Sequence, residues 1–227
     1  MIQELFSYLS SGIYSFLKGL LLGGSVCVCG YLLDNTISSK SQETLIKEKT
    51  KPFLKAHYYI ATNLLIISPS FYIVIDQFFL QKKIQFEIFK YCAIILTHNL
   101  VYFFIHREMH RNNKLRWVHK FHHEFDIIVT PSIGNTVSHE EFLLAYICPF
   151  ILAAVGYRPT EITFISAIGT ISVFNMLIHM MELDGLWWIP GLVAPTHHIY
   201  HHKTKNAHFS APIMDLDDIM DNYVFIA

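Results

Sequence analysis

Long apolar runs constrain this chain more than any other feature. A helix needs about 20 mostly apolar residues to cross a bilayer. Ile13 to Leu33, Tyr58 to Leu80 and Phe86 to Ile105 each meet that length, with Lys18 near one end of the first and Pro69 interrupting the second. The third ends directly on His106, and the chain then turns polar, charged and histidine-rich from Arg107 to Glu141. Phe142 to Tyr157 is apolar but short, Arg158-Pro159-Thr160 makes a turn, and Glu161 to Met181 is apolar again. The last two runs predict a helical hairpin whose first arm is only partly inserted. The expectation is an all-α fold: an integral membrane helical bundle of about four to five apolar helices under a cytosolic histidine-rich metal-binding cap.

Composition agrees. Charged residues are 15% and hydrophobic residues 52%, against roughly 25% charged in soluble domains. A net charge of −1 gives no basic footprint and argues against nucleic acid. Cys27, Cys29, Cys92 and Cys148 lie inside apolar stretches and read as small buried hydrophobes, not a disulfide framework. The first apolar run lacks a basic region before it and a small-residue cleavage site after it, so it reads as an anchor. Residues 1–85 then form N-terminal membrane anchor helices and a linker, and residues 86–227 a catalytic domain.

Orientation follows from the basic loops. Lys40, Lys47, Lys49, Lys51 and Lys55 lie between the first two runs; Arg107, Arg111, Lys114, Arg116 and Lys120 follow the third. The positive-inside rule puts both on the cytosolic side, separated by two crossings. Lys82 and Lys83 fall on the far side.

Histidine is the anomaly. Of 14 histidines, three clusters stand out: His106 and His110; His119, His122 and His123; and His197-His198 followed by His201 and His202. On a helix, positions i, i+3 and i+4 share a face. Each cluster therefore predicts a small helical patch of imidazoles, with His198 preferred over His197 by spacing. Polar groups near a bilayer need a partner or a function. Neutral imidazole binds first-row transition metals well. Eight histidines can fill most of the shells of two metals and leave positions for oxygen. Such ligation suits iron, and zinc equally by spacing. His179 is a possible ninth ligand. His139 is a possible further ligand or, by preference, a group that orients one, and Glu141, Glu124 and Asp218 are candidates to orient a ligating ring. His57 and His98 read as structural.

These residues resemble the fatty acid hydroxylase superfamily, which includes sterol C-5 desaturase, sterol 4-methyl oxidase and cholesterol 25-hydroxylase. The likeness runs from about Phe86 to Asp221. His106-Arg107, His110-Arg111 and Leu115 resemble its first box, and His119-Lys120-Phe121-His122-His123-Glu124 its second. Ser138-His139-Glu140-Glu141 resembles a His-Pro-x-Glu element with the proline replaced, and His197 to His202 the third box. The tail departs: Asn206-Ala207-His208-Phe209-Ser210 and Asp217-Asp218-Ile219-Met220 lack the family's usual glycine and tryptophan. The resemblance implies two iron ions, O2, and a lipid or sterol substrate that is hydroxylated or desaturated. It also implies an external electron donor such as cytochrome b5 with an NAD(P)H reductase, and the endoplasmic reticulum membrane. Three other readings compete: a histidine-rich metal transporter or sensor, a zinc hydrolase, and a catalytically degenerate relative. The zincin motif His-Glu-x-x-His is absent, since His139-Glu140 lacks its second histidine.

Overall fold

A computed structural model describes residues 2–186 and 189–223, with side chains described from Tyr8 to Met220 apart from 187–188. Its main helices are α1 (Ile2–Thr36), α2 (Ser39–Glu48), α3 (Thr50–Phe78), α4 (Ile88–Arg111), α5 (Arg116–His119), α6 (Pro131–Gly134), α7 (His139–Tyr157), α8 (Glu161–Ile178), α9 (Pro195–Thr204) and α10 (Leu216–Tyr223). Five of them (α1, α3, α4, α7 and α8) are long and apolar enough to span a membrane. Large apolar side chains point outward along them: Leu21 is 73% exposed and Leu32 60%. Apolar surface on that scale has its natural solvent in lipid. The chain is an integral membrane helical bundle.

Two expectations about the spans change. The short arm of the hairpin begins at His139, not Phe142, and reaches 19 residues. It therefore has the length of a full crossing. The third span does not stop at His106 but continues to Arg111, so both histidines of the first cluster ride on the last turns of a membrane helix.

Prolines 69 and 149 sit inside continuous helices. Each removes a backbone donor and crowds the carbonyl four residues earlier. In both cases the preceding turn widens to π geometry, over Asn63–Ile67 and Phe142–Ile147, which relieves that crowding without breaking the helix. Helix α1 lies close against α3. A Cβ on Gly23 would overlap the Leu64 carbonyl oxygen, and one on Gly19 would come 2.7 Å from the Pro69 Cα. Small residues let backbones approach where lipid supplies no hydrophobic drive. The core between α3, α4, α7 and α8 is built from Tyr72, Ile94, Phe150, Phe164 and Ile171 with their neighbours.

The connections sort to opposite ends. At one end, Asp34 accepts from the Ser132 backbone N–H at 2.9 Å and from Thr130 Oγ1 at 3.1 Å. Ser38 and Ser41 donate to Glu182 at 2.6 and 2.7 Å, and Lys49 pairs with Asp126 at 2.7 Å. At the other, the Gln81 N–H donates to the Pro159 carbonyl at 2.8 Å and the Thr160 N–H to Glu87 at 2.8 Å. Lys18, the one charge in the first span's apolar stretch, pairs there with Glu161 at 2.5 Å. Both basic loops and all three histidine clusters thus belong to the same end of the bundle.

Candidate metal centre

Each histidine cluster reaches the centre on its own element. In α4, one turn separates His106 from His110, so both rings project from one face. In α9, opened by Pro195 at its first turn, His198, His201 and His202 do the same. The second cluster forms the patch that its spacing predicts: the His119 ring centroid lies 5.1 Å from His122 and 4.6 Å from His123. The backbone stays helical through Lys120 and Phe121, from the short helix α5 into the 3-10 turn His122–Phe125. Phe121 and Phe125 anchor the segment, buried with Leu45, Ile60 and Ile133.

Two groups result. His106, His110, His119, His123 and His201 offer ligand atoms all within 4.8 Å of one another; so do His122, His179, His198 and His202. All eight predicted histidines fall in these groups, and His179 is the ninth. The second and third clusters are each divided between the groups, which no spacing could show. His139 stands outside them: its Nδ1 is 2.7 Å from Asn63 Oδ1 and its ring packs on Tyr59. His197 is also outside, with its Nδ1 3.0 Å from Asp215 and its ring stacked on His208. Glu124 lines an open, polar mouth beside His110, His119 and His123, with Arg116, Lys120 and Lys205 around it.

The hydrogen bonds fix which nitrogen faces inward. His106 Nδ1 donates to the Phe209 carbonyl at 2.7 Å, His119 Nδ1 to Glu141 Oε1 at 2.6 Å, and His122 Nδ1 to the Thr136 carbonyl at 3.1 Å. His179 Nδ1 donates to the Asn175 carbonyl at 2.5 Å and His201 Nδ1 to the Ala207 carbonyl at 2.8 Å. A neutral imidazole carries one proton, so each of these Nε2 atoms presents a lone pair. Yet His106 Nε2 lies 2.9 Å from His119 Nε2, and His179 Nε2 lies 3.4 Å from His122 Nε2. Two acceptors facing each other cannot hydrogen bond. Nor has the buried His201 Nε2, or either nitrogen of His202, a hydrogen-bond partner. Converging lone pairs of this kind are the donor set of a metal ion. The residues therefore fit a pair of metals.

Electrostatics points the same way. Burial lowers the pKa of His122 to about 4 and of His179 and His201 to about 3. It drives His119, His198 and His202 well below the ordinary imidazole value. These rings are neutral at pH 7, the form that binds metal.

Glu141, at the start of α7, is 1% exposed and fixes the His119 ring. Losing a group that orients a ligand typically costs 10–100-fold in metal affinity. Glu141→Ala is expected to weaken binding by about that factor, read as a rightward shift in a metal titration; an unshifted curve would remove Glu141 from the centre. Sequence reasoning missed the carbonyls of Phe209, Thr136 and Ala207, because backbone acceptors carry no residue signature.

An apolar cavity inside the bundle ends near the second group. Phe71, Ile75 and Phe164 line its lower part and Tyr146, Asn135 and Asn175 its upper part. Asn175 stands one helical turn before His179.

The family model for fatty acid hydroxylases matches residues 91–222. No curated protein and no solved structure matches the chain. The matched residues are more than half of the chain and hold all nine converging histidines, and with that extent of match the chain belongs to the fatty acid hydroxylase family.

Proposed function

We propose that the protein is an O2-dependent di-iron oxidoreductase that hydroxylates or desaturates a C–H bond of a lipid, sterol or fatty acyl. One observation supports this above the rest: Nε2 lone pairs converge in two groups at the end of an apolar cavity inside a membrane bundle. The nine histidines would hold the ions, and Glu141 would orient His119. Iron bound there would supply reductive activation of O2, enough to take hydrogen from an unactivated carbon, with electrons from a separate donor such as cytochrome b5 and its NAD(P)H reductase. The chain's own task is positioning. The apolar walls would receive part of a hydrocarbon chain or ring system and exclude water. Asn135 and Asn175 mark where it meets the histidines.

In this reading residues 86–227 carry the chemistry and residues 1–85 anchor them, with Leu22 and Val26 of α1 contributing to the cavity wall. The basic loops at the histidine end support a cytosolic orientation for that end, and the family resemblance supports the endoplasmic reticulum as the membrane. A metal transporter is the weaker reading: transporters hold their ions near the membrane midplane, whereas these rings gather where the helices end.

The test is lipid profiling of cells with and without the protein. The expected product is one lipid heavier by one oxygen atom, or lighter by two hydrogen atoms, that disappears with His119→Ala. Metal uptake into vesicles without oxygen consumption would instead establish transport.

A further inference from the structure

We infer that Gly134 and Asn175 are positioning residues that seat His179 in the second histidine group. The inference rests on the reading that the nine histidines hold two metals, and deepens it.

Gly134 is the last residue of the short helix α6 and is buried. Its backbone does not lie in the left-handed region that favours glycine. Within a helix, glycine is about 1 kcal/mol less favourable than alanine, so its presence has some other reason. The space a side chain would take is filled by His179. A Cβ on Gly134 would lie 2.5 Å from His179 Cγ, 2.6 Å from Nδ1 and 2.7 Å from Cβ. These atoms are the root of the ring, which cannot swing aside as a flexible tip would. Of the ten glycines, Gly134 alone would meet a histidine in this way.

The ring is held at Nδ1 and aimed into the group at Nε2. Its Nδ1 donates to the Asn175 carbonyl at 2.5 Å, while Nε2 lies 2.8 Å from His198 Nε2. Asn175 also secures the surface beneath the ring. Its Nδ2 donates to the Gly134 carbonyl at 3.3 Å and to Asn135 Oδ1 at 2.8 Å. One residue thus fixes the imidazole through its backbone and the imidazole's bed through its side chain. His179 needs such support because it lies just past the last residue of α8, without neighbouring turns to orient it.

The deciding experiment pairs metal titration with a double-mutant cycle, using purified full-length protein and Co(II) as the probe. Wild type is expected to take up a metal for each of the two groups. Gly134→Ala is expected to keep the five-histidine site and lose the other. Gly19→Ala is the control: its Cβ would also clash, 2.7 Å from the Pro69 Cα, but where α1 packs on α3 and away from the histidines. It is expected to retain both metals. Asn175→Ala is expected to weaken the second site roughly 10–100-fold, and it decides the matter if Gly134→Ala does not fold. In metal-free protein, the drop in Tm from Gly134→Ala is expected to shrink in a His179→Ala background, which removes Cγ and Nδ1 but keeps the Cβ 2.7 Å away, and to vanish in a His179→Gly background, where no clash partner is left. Both metals retained in Gly134→Ala, or an additive cycle, would overturn the inference while leaving the two-metal reading intact. Fewer than two metals in wild type would overturn both.

Discussion

Replacing His122 with alanine is expected to remove one of the two metals and lower turnover by on the order of 100-fold or more. The ring is 2% exposed, and its centroid lies 5.3 Å from His179, 6.4 Å from His198 and 4.7 Å from His202. Without it, the four-histidine group keeps three ligands and the five-histidine group stays whole. Loss of a group that merely orients a ligand already costs 10–100-fold, and losing the ligand itself exceeds that. Elemental analysis of purified protein, with product measured in the same preparation, reads both effects. His197→Ala is the control from the same histidine-rich sequence: its ring contacts Asp215 and His208, and both metals are expected to remain. Wild-type turnover in His122→Ala would sink the proposed site.

Stripping the metals is expected to leave a protein that loses stability steeply as pH falls from about 6.5 toward 4. An imidazole in an unfolded chain titrates near 6.5. In the folded protein burial lowers His122 to about 4 and His179 and His201 to about 3. Between those limits the unfolded chain binds protons that the folded chain refuses. Stability therefore rises with pH across this window and falls as acid is added. Each ring held neutral costs up to about 1.4 kcal/mol per pH unit. These losses draw on the roughly 5–15 kcal/mol that holds an ordinary domain folded. Thermal unfolding in detergent, followed by helical circular dichroism from pH 7.5 to 5, measures it. Adding back metal at 100 times its Kd is expected to raise stability at pH 7.5 by about 2.7 kcal/mol per site. A flat profile would mean that the rings are hydrated and not buried.

The two histidine groups show how far the linear chain could be read. The five apolar runs, the polar stretch between Arg107 and Glu141, and the eight clustered histidines are all local patterns, and local patterns report local structure. Spacing selected His198 over His197, and the structure places His198 with His179, His122 and His202 while His197 turns to Asp215. The span ends were harder. His106 and Arg111 look like the start of a polar segment, yet α4 continues through them because its last turns are packed against other histidines and not against lipid.

What the sequence determined by itself was the class of object: a helical membrane bundle with imidazoles collected at one end, since bilayer thickness and helical period are read directly from residue order. Which imidazoles share a group was decided only in three dimensions. His119 and His123 join α4 while their neighbour His122 joins α8 and α9. That division depends on which rings α4, α9 and His179 bring up from elsewhere in the chain, and on the seating of this segment by buried Phe121 and Phe125, whose packing partners lie far away in sequence. The carbonyls that orient the rings and the bare face of Gly134 under His179 belong to the same level. A backbone acceptor and a missing side chain acquire meaning only when the fold brings something against them.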